Sequence, residues 1–267
     1  MRASFDIMGD IAIVEIAKGL TKRERKLGQL LLDSQPQLKV VAKKVGGHKG
    51  KFRKQPLKVI AGEKRLVTTH RESGLLFTLN VSTCYFSPRM GTERLRIARQ
   101  VKKGENVLVL FSGVGPFGLV IAKHAPRGPP AHVDMVELNP AAHNYAKANI
   151  EKNKLNSIVT AIKADAASFL KKTNKNNTTR AKYDRVILAW PGKARPYLAA
   201  AIQALKKGGM LHFYDFVAED ELEQLGEDVV EACLAQKPKR NCTIKNIVRC
   251  GQKEPRVVRA CVDAVVR

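Results

Sequence analysis

The chain has 267 residues, 44% of them hydrophobic, which is enough for one large domain or two modest ones with a packed core. Its 48 Lys and Arg against 24 Asp and Glu give a formal net charge of +24, the sign that attracts phosphate polyanions. No apolar run reaches the roughly 20 residues of a membrane-spanning helix, and the first residues do not resemble a signal peptide. The composition therefore argues against a membrane protein and predicts a cytoplasmic one, with nucleic acid as the first candidate partner.

The first 80 residues are predicted to form a small α/β domain. Strand patterns occupy residues 11–16, 38–45, 57–62, 66–71 and 75–81, and a helix pattern occupies residues 22–34. Sixteen Lys or Arg face six Asp or Glu within residues 1–66, which favours a surface that faces nucleic acid. The alternative is an ordinary solvated basic surface.

Residues 81–267 are predicted to form a second, larger domain in which helices alternate with strands. Helix patterns lie at 92–101, 140–153, 197–209 and 219–236, and apolar strand patterns lie at 106–111, 132–139, 158–165, 183–190 and 210–217. This alternation indicates a doubly wound parallel sheet that is buried on both faces. Two further strand patterns, at 242–250 and 256–266, are expected to add an antiparallel edge, and residues 171–182 are expected to form a basic surface loop.

Five cysteines, Cys84, Cys233, Cys242, Cys250 and Cys261, are odd in number and include no Cys-x-x-Cys pair. This spacing indicates neither a disulfide framework nor a zinc site, so we expect no bound metal and a structural role for the cysteines.

The stretch "LFSGVGPFG" follows a strand and opens a helix, where Gly113 and Gly115 allow a sharp turn and a close approach of the backbone to a ligand. Gly113, Gly115 and Gly118 have the spacing of a G-x-G-x-x-G fingerprint. No Gly-Lys-Ser/Thr follows, so the turn is not a phosphate loop. The turn by itself is weak support for a nucleotide-like cofactor.

Two carboxylates end the strands that follow this turn. Glu137 ends the second strand, where an acid can accept hydrogen bonds from both ribose hydroxyls, and Asp165 ends the third, near the expected position of an adenine amino group. Asp165 is also placed to cap the next helix, which is the alternative role. Together the acids and the turn predict an adenosine site without room for pyrophosphate, which favours S-adenosyl-L-methionine over NAD.

Four stretches in order, "CYFSPRMGTERLR", "LFSGVGPFG", "VELNP" and "LKKGGMLHFYDF", resemble the archaeal and eukaryotic type of tRNA (guanine-37 N1)-methyltransferase. Residues 4–60 resemble the middle domain of that family. The resemblance implies a Rossmann-like class I S-adenosylmethionine-dependent methyltransferase sheet and a tRNA partner bound at its anticodon stem-loop. The oligomeric state stays open, with a monomer favoured. The resemblance also leads us to expect that the family's extra amino-terminal domain is absent.

The resemblance further implies roles for single residues. Glu93 matches the general base that removes the proton of guanine N1, and Arg53 matches the cation that holds guanine O6. Positions around the methyl donor match Tyr85, Arg89, Phe111, Glu137, Asp165 and Pro191. A carboxylate base and a cation near O6 would act on the same developing charge, which suits this chemistry.

Two departures and three alternatives accompany this assignment. Val109 stands where many such enzymes have an acid, and Ala189 stands where the family often has Asn. Glu93 could merely begin a helix, stabilised by the helix dipole. The rival functions are the aminocarboxypropyltransferase of wybutosine synthesis, against which Arg89 argues, and a tRNA-binding protein that has lost its chemistry.

Overall fold

The computed structural model describes residues 5–47, 50, 52, 54–175 and 183–267. The amino-terminal sheet has the order β1-β2-β3-β4, with β2 and β3 parallel and the outer pairs antiparallel. Its elements are β1 (Phe5–Met8), β2 (Ile11–Val14), α1 (Glu24–Ser34), β3 (Val40–Lys44) and β4 (Leu57–Gly62). Strand β1 was not predicted, because four residues, three half-buried and one buried, give too short an alternation to detect.

A two-stranded hairpin, β5 (Val67–Glu72) and β6 (Leu75–Asn80), connects this sheet to the rest of the chain. Two asparagines, one in a helix described below and one directly after it, bind the strand β6. The Asn149 amide accepts from the Thr78 N–H at 2.8 Å and donates to the Thr78 carbonyl at 3.1 Å. The Asn153 amide likewise accepts from the Leu76 N–H and donates to the Leu76 carbonyl. These side chains pair an edge of the hairpin that would otherwise be buried without hydrogen bonds.

The large sheet has seven strands in the order β12-β13-β11-β10-β7-β8-β9. The strands β7 (Asn106–Leu110), β8 (His132–Glu137), β9 (Val159–Lys163), β10 (Tyr183–Leu188) and β11 (Leu205–Ala218) are parallel. Two antiparallel strands, β12 (Cys242–Glu254) and β13 (Val257–Val266), complete one edge. The helices are α2 (Gly91–Ala98), α3 (Pro116–His124), α4 (Pro140–Lys152), α5 (Ala166–Lys175), α6 (Leu198–Ala204) and α7 (Leu222–Leu234). The predicted doubly wound α/β fold with an antiparallel edge is confirmed.

One predicted helix ends earlier than expected. The pattern at 197–209 favours a helix through the Lys-Lys-Gly-Gly segment, but α6 ends at Ala204 and β11 begins at Leu205. Leu205 pairs with Tyr183 of β10, and Gly209 pairs with Val266 of β13. Sheet pairing therefore overrides the helix propensity of this segment.

The apolar core has a large cluster on each side of this sheet. One cluster lies beside α6 and α7. The other joins the sheet to α3, α4 and the hairpin, and it also includes Ile11, Ile13, Val40 and Ala42 of the amino-terminal sheet. The two parts of the chain thus share a core, while a boundary near residue 80 stays a prediction. No helix in the described part of the chain is long and apolar enough to span a membrane.

Candidate cofactor and catalytic site

The glycine turn lies between β7 and α3, and its glycines have different structural roles. Phe111 and Gly113 both have φ of 58°, and Gly115 has φ of 94°. A Cβ on Gly115 would lie 2.5 Å from Leu119 Cδ1, and a Cβ on Gly118 would lie 2.3 Å from the sulfur of Met135 in β8. Gly115 and Gly118 therefore permit close packing of α3, and Gly113 is the glycine that faces a cavity.

Glu137 holds this turn in place from the end of β8. Its carboxylate accepts the Gly113 N–H at 2.8 Å and the Asn139 N–H at 2.7 Å. Burial raises the pKa of Glu137, and these backbone donors oppose that rise. The carboxylate is thus fixed beside the turn, with remaining lone pairs that can accept from a ligand.

A cavity of about 280 Å³ opens beside the turn and the ends of β8 and β9. It is lined by Phe52, Tyr85, Phe111, Gly113, Val136, Glu137, Leu138, Asn139, Ala142, Ala164, Asp165, Ala166, Ala189, Trp190 and Tyr197. The Phe111 ring lies 4.9 Å from Trp190 and 5.0 Å from Tyr197, between ring centroids. The described lining contains carboxylates and aromatic rings but no Lys or Arg, so it suits an uncharged adenosine group better than a phosphate.

The structure brings Asp165 to this cavity and also shows its alternative role. Asp165 Oδ1 accepts the Ser168 N–H at 3.0 Å, so the residue caps α5. The same side chain lines the cavity together with Glu137. The cap fixes the position of a carboxylate at the cavity wall, and the two roles are compatible.

A smaller cavity of about 70 Å³ adjoins the first and shares Tyr85, Phe111, Gly113 and Ala189 with it. Its other lining residues are Phe86, Ser87, Met90, Arg94, Ser112, Pro116, Phe117, Pro191, Tyr214 and Arg259. Arg94 Nε and Ser112 Oγ are buried and have no hydrogen-bond partner among the described residues. Unpaired buried donors beside a cavity mark it as a place where a polar ligand gains hydrogen bonds.

Glu93 lies in the first turn of α2, close to this smaller cavity but not among the described residues that line it. Only 6% of Glu93 is exposed. Its oxygens accept from Arg96 Nε at 2.7 Å and Nη2 at 2.8 Å, and Oε1 also accepts from the Tyr214 hydroxyl at 2.6 Å. The side chain of the predicted base is therefore fixed in orientation by an arginine and a tyrosine that the sequence did not single out.

Two other predicted site residues, Arg89 and Arg53, are not among the described residues that line these two cavities. Arg89 is 69% exposed and forms an ion pair with Asp6 of β1 at 2.7 Å, in a third cavity that it shares with Tyr85. Arg53 lies outside the described residues. Its neighbour Phe52 lines the first cavity, which brings the amino-terminal part of the chain to the candidate cofactor site.

The two departures from the family pattern have clear positions. Val109 is buried in the core, at 1% exposure, and Ala189 lines both cavities. After Ala189 the loop is held by Asp215 of β11, whose carboxylate accepts the Gly192 N–H at 2.7 Å and pairs with Arg195 at 2.7 Å. Sequence reasoning missed Asp215, although an acid inside the apolar run of β11 was a usable signal.

Comparison with known proteins places this geometry in a family. Residues 68–242 match the family described as TRM5/TYW2 methyltransferase domain, and residues 1–65 match the TYW2 N-terminal domain. The expectation that an amino-terminal domain is missing is therefore not confirmed.

The relatives differ in how much of their own length this chain covers. Trm5b of Pyrococcus abyssi, a tRNA (guanine(37)-N(1))-methyltransferase, is 35% identical over 218 residues, which are 82% of this chain and 61% of that protein. Trm5b of Methanocaldococcus jannaschii is 31% identical over 92% of this chain and 66% of its own length. This chain thus spans less than two thirds of these relatives. The tRNA 4-demethylwyosine(37)-methyltransferase Taw21 of Saccharolobus solfataricus is 31% identical over 91% of this chain and 87% of its own length.

Solved structures agree in fold. The crystal structure of Trm5b from Pyrococcus abyssi matches with a TM-score of 0.84 at 32% identity, over 98% of this chain and 74% of that chain. The structure of a complex of aTrm5 with tRNALeu matches with a TM-score of 0.82 at 26% identity, over 99% of this chain and 72% of that chain. TYW2 of M. jannaschii in complex with AdoMet gives 0.71 at 25% identity, over 99% of both chains. This chain therefore belongs to the TRM5/TYW2 methyltransferase family, and its larger domain has the predicted S-adenosylmethionine-dependent methyltransferase fold.

Proposed function

We propose that this chain is a tRNA methyltransferase that transfers a methyl group from S-adenosyl-L-methionine to N1 of guanosine 37, next to the anticodon. The observation that carries the proposal is the cavity in which Gly113, Glu137 and Asp165 meet, with a buried glutamate, Glu93, in contact with Tyr214 of the adjoining smaller cavity.

The described residues fit the cofactor. Glu137 would accept hydrogen bonds from the ribose hydroxyls, and Asp165 would face the adenine edge. Tyr85, Phe111 and the loop at Pro191 would form the walls, and Gly113 leaves room because it has no Cβ. When bound, S-adenosylmethionine supplies an electrophilic methyl group.

Guanine N1 carries a proton and becomes a strong nucleophile only when that proton leaves. Glu93 is the group we assign as the final proton acceptor, since Arg96 donates to both of its oxygens and holds it in a fixed, buried orientation. Arg53 would stabilise the negative charge that develops on guanine O6.

The partner we propose is the anticodon stem-loop of tRNA. The net charge of +24 supports this, as does the likeness to aTrm5, which was solved with tRNALeu. Phosphate contacts release counterions, so the affinity for tRNA should fall steeply as salt rises. Filter binding over a salt series measures this slope, and a flat response would mean that the basic surface does not bind the tRNA backbone.

A second candidate is methylation of 4-demethylwyosine at the same tRNA position. The match to Taw21 favours it, because it covers 87% of that relative, whereas the match to Trm5b covers 61%. A third, aminocarboxypropyl transfer, draws support from the likeness to TYW2 and from the family match of residues 1–65.

One experiment separates these reactions. The purified chain is incubated with S-adenosylmethionine and tRNA carrying guanosine, adenosine or 4-demethylwyosine at position 37, and the nucleosides are identified by mass. We expect one methyl group on N1 of guanosine 37 and none on adenosine 37. Methylation of 4-demethylwyosine alone would establish the second candidate, and an aminocarboxypropyl product would establish the third.

A further inference from the structure

Tyr214 contacts both the candidate base and the smaller cavity. It lies on β11 with 1% of its surface exposed, and its ring centroid is 5.5 Å from that of Phe117. Its hydroxyl donates to Glu93 Oε1 at 2.6 Å. Tyr214 lines the cavity, whereas Glu93 is not among the described lining residues. Tyr214 therefore links this cavity to the Glu93 carboxylate.

Glu93 is held back from the cavity by its other contacts. Arg96 donates to both of its oxygens, and the Arg96 guanidinium is itself bound by Asp263 of β13, with Nη2 to Oδ1 at 3.2 Å. Turning Glu93 into the cavity would break three hydrogen bonds to a buried carboxylate, which are among the strongest in proteins. The arrangement favours a carboxylate that stays in place.

We propose that Tyr214 is a catalytic residue that relays the proton of guanine N1 to Glu93. This inference rests on the proposed function. The N1–H proton passes to the Tyr214 oxygen while the Tyr214 hydroxyl proton passes to Glu93 Oε1. The electron pair freed on N1 forms the bond to the methyl carbon, and the pair of the broken methyl–sulfur bond stays on sulfur. Tyr214 is neutral before and after the step, and Glu93 ends protonated.

The environment of Tyr214 suits this role. Burial, followed by the nearby Cys261 and Glu93, raises the pKa of Tyr214 and keeps the hydroxyl protonated. A protonated tyrosine can accept a proton only if it gives one up at the same time. Glu93 is in contact to receive it, so the geometry favours a coupled transfer of two protons.

The matched pair of variants is Tyr214→Phe and Tyr183→Phe. Each removes a hydroxyl that donates to a carboxylate, since the half-buried Tyr183 donates to Asp134 at 2.7 Å, but Tyr183 lines neither cavity. In single-turnover methylation of guanosine 37, we expect Tyr214→Phe to be about 10²- to 10⁴-fold slower, the usual contribution of a positioned acid or base. Tyr183→Phe should keep the wild-type rate. Cofactor and tRNA dissociation constants should be unchanged in both variants.

Solvent isotope mixtures separate a relay from mere positioning of Glu93. In mixtures of H₂O and D₂O, two protons in flight make the wild-type rate curve with the deuterium fraction, and Tyr214→Phe should give a straight line. A straight line for the wild type, or a normal rate for Tyr214→Phe, would overturn the relay and leave Glu93 as the direct base. Failure of the wild type to methylate guanosine 37 would instead overturn the proposed function itself.

Discussion

Glu137 uses both carboxylate oxygens within the protein, so a single change tests its role at the cofactor site. Glu137→Gln replaces one acceptor oxygen by a donor and removes the charge that the ribose hydroxyls would meet. Hydrogen bonds to charged groups are worth about 1.5–3 kcal/mol, and 1.4 kcal/mol is tenfold in affinity, so we expect roughly 10- to 100-fold weaker S-adenosylmethionine binding. Calorimetric titration measures this.

Asp134→Asn is the matched control for that variant, because Asp134 lies on the same strand but binds Tyr183 and His132 away from the cavity. Asp134→Asn should bind S-adenosylmethionine with the wild-type affinity. Equal affinity in Glu137→Gln and the wild type would remove Glu137 from the cofactor site.

Glu93 is expected to act on the chemistry and not on binding. Glu93→Gln keeps the shape of the side chain but removes the proton acceptor, so the methyl step should slow by roughly 10²- to 10⁴-fold with cofactor and tRNA affinities nearly unchanged. Rapid-quench single-turnover rates and binding titrations measure the two effects. The control is Glu105→Gln, since Glu105 also binds an arginine, Arg185, through both oxygens but lies outside the cavities. A similar loss of binding in Glu93→Gln would make Glu93 a structural residue.

At the scale of elements, the packing of α3 on β8 positions the glycine turn. A Cβ on Gly118 would lie 2.3 Å from the Met135 sulfur and 2.7 Å from its Cγ, both buried. Gly118→Ala should therefore lower the free energy of unfolding by about 1–3 kcal/mol, the usual cost of overpacking a core. Urea denaturation measures this.

The control for Gly118→Ala is Gly19→Ala, because nothing lies within 4 Å of a Cβ at Gly19. That change should alter stability by less than about 1 kcal/mol. If the two variants were equally stable, close packing would not be the reason for glycine at position 118.

Elements were predicted well where one local pattern decides the structure. The runs that form β7 and β10 are apolar along most of their length, and a strand buried on both faces requires that. Strand β1 was missed because it has only four residues, and the start of β11 was missed because pairing with β10 and β13 decides it. The hydrogen bonds of Asn149 and Asn153 to β6 were likewise beyond reach, since 71 and 77 residues separate the partners.

At the scale of the whole molecule, a buried polar network joins α2 to three strands. Asp263 of β13 binds Arg96 of α2 and His212 of β11, and His212 binds Arg185 of β10. The Arg185 guanidinium donates to His212 Nε2, so Nδ1 carries the ring proton and donates to Asp263. The network therefore requires a neutral histidine, and it fixes the helix that carries Glu93.

This network predicts a loss of stability in acid. Burial lowers the pKa of His212, with Arg185 and Arg96 opposing its protonation and Asp263 favouring it. The folded pKa is lower than that of the unfolded chain, so the stabilisation is complete above about pH 6.5 and is lost as the pH falls below it. Each such histidine contributes up to about 1.4 kcal/mol per pH unit.

Urea unfolding between pH 7.5 and 5 is the measurement. His70 and His143 also have pKa values lowered by burial, so the wild-type slope contains their share. His212→Asn should reduce the slope by about 1 kcal/mol per pH unit. If the wild type and His212→Asn showed the same dependence of unfolding free energy on pH, His212 would have the same pKa in the folded and the unfolded chain.

The sequence by itself determined the doubly wound sheet, the antiparallel edge, and the carboxylates at the strand ends, because apolar periodicity and turn residues are local signals. The resemblance of four ordered stretches pointed to the family that the comparisons confirmed. Only the tertiary structure decided that Phe52 reaches the cavity, that Arg89 pairs with Asp6, and that Tyr214 touches Glu93 from 121 residues away. These contacts depend on how separate elements pack in space, and the sequence gives no local sign of that packing.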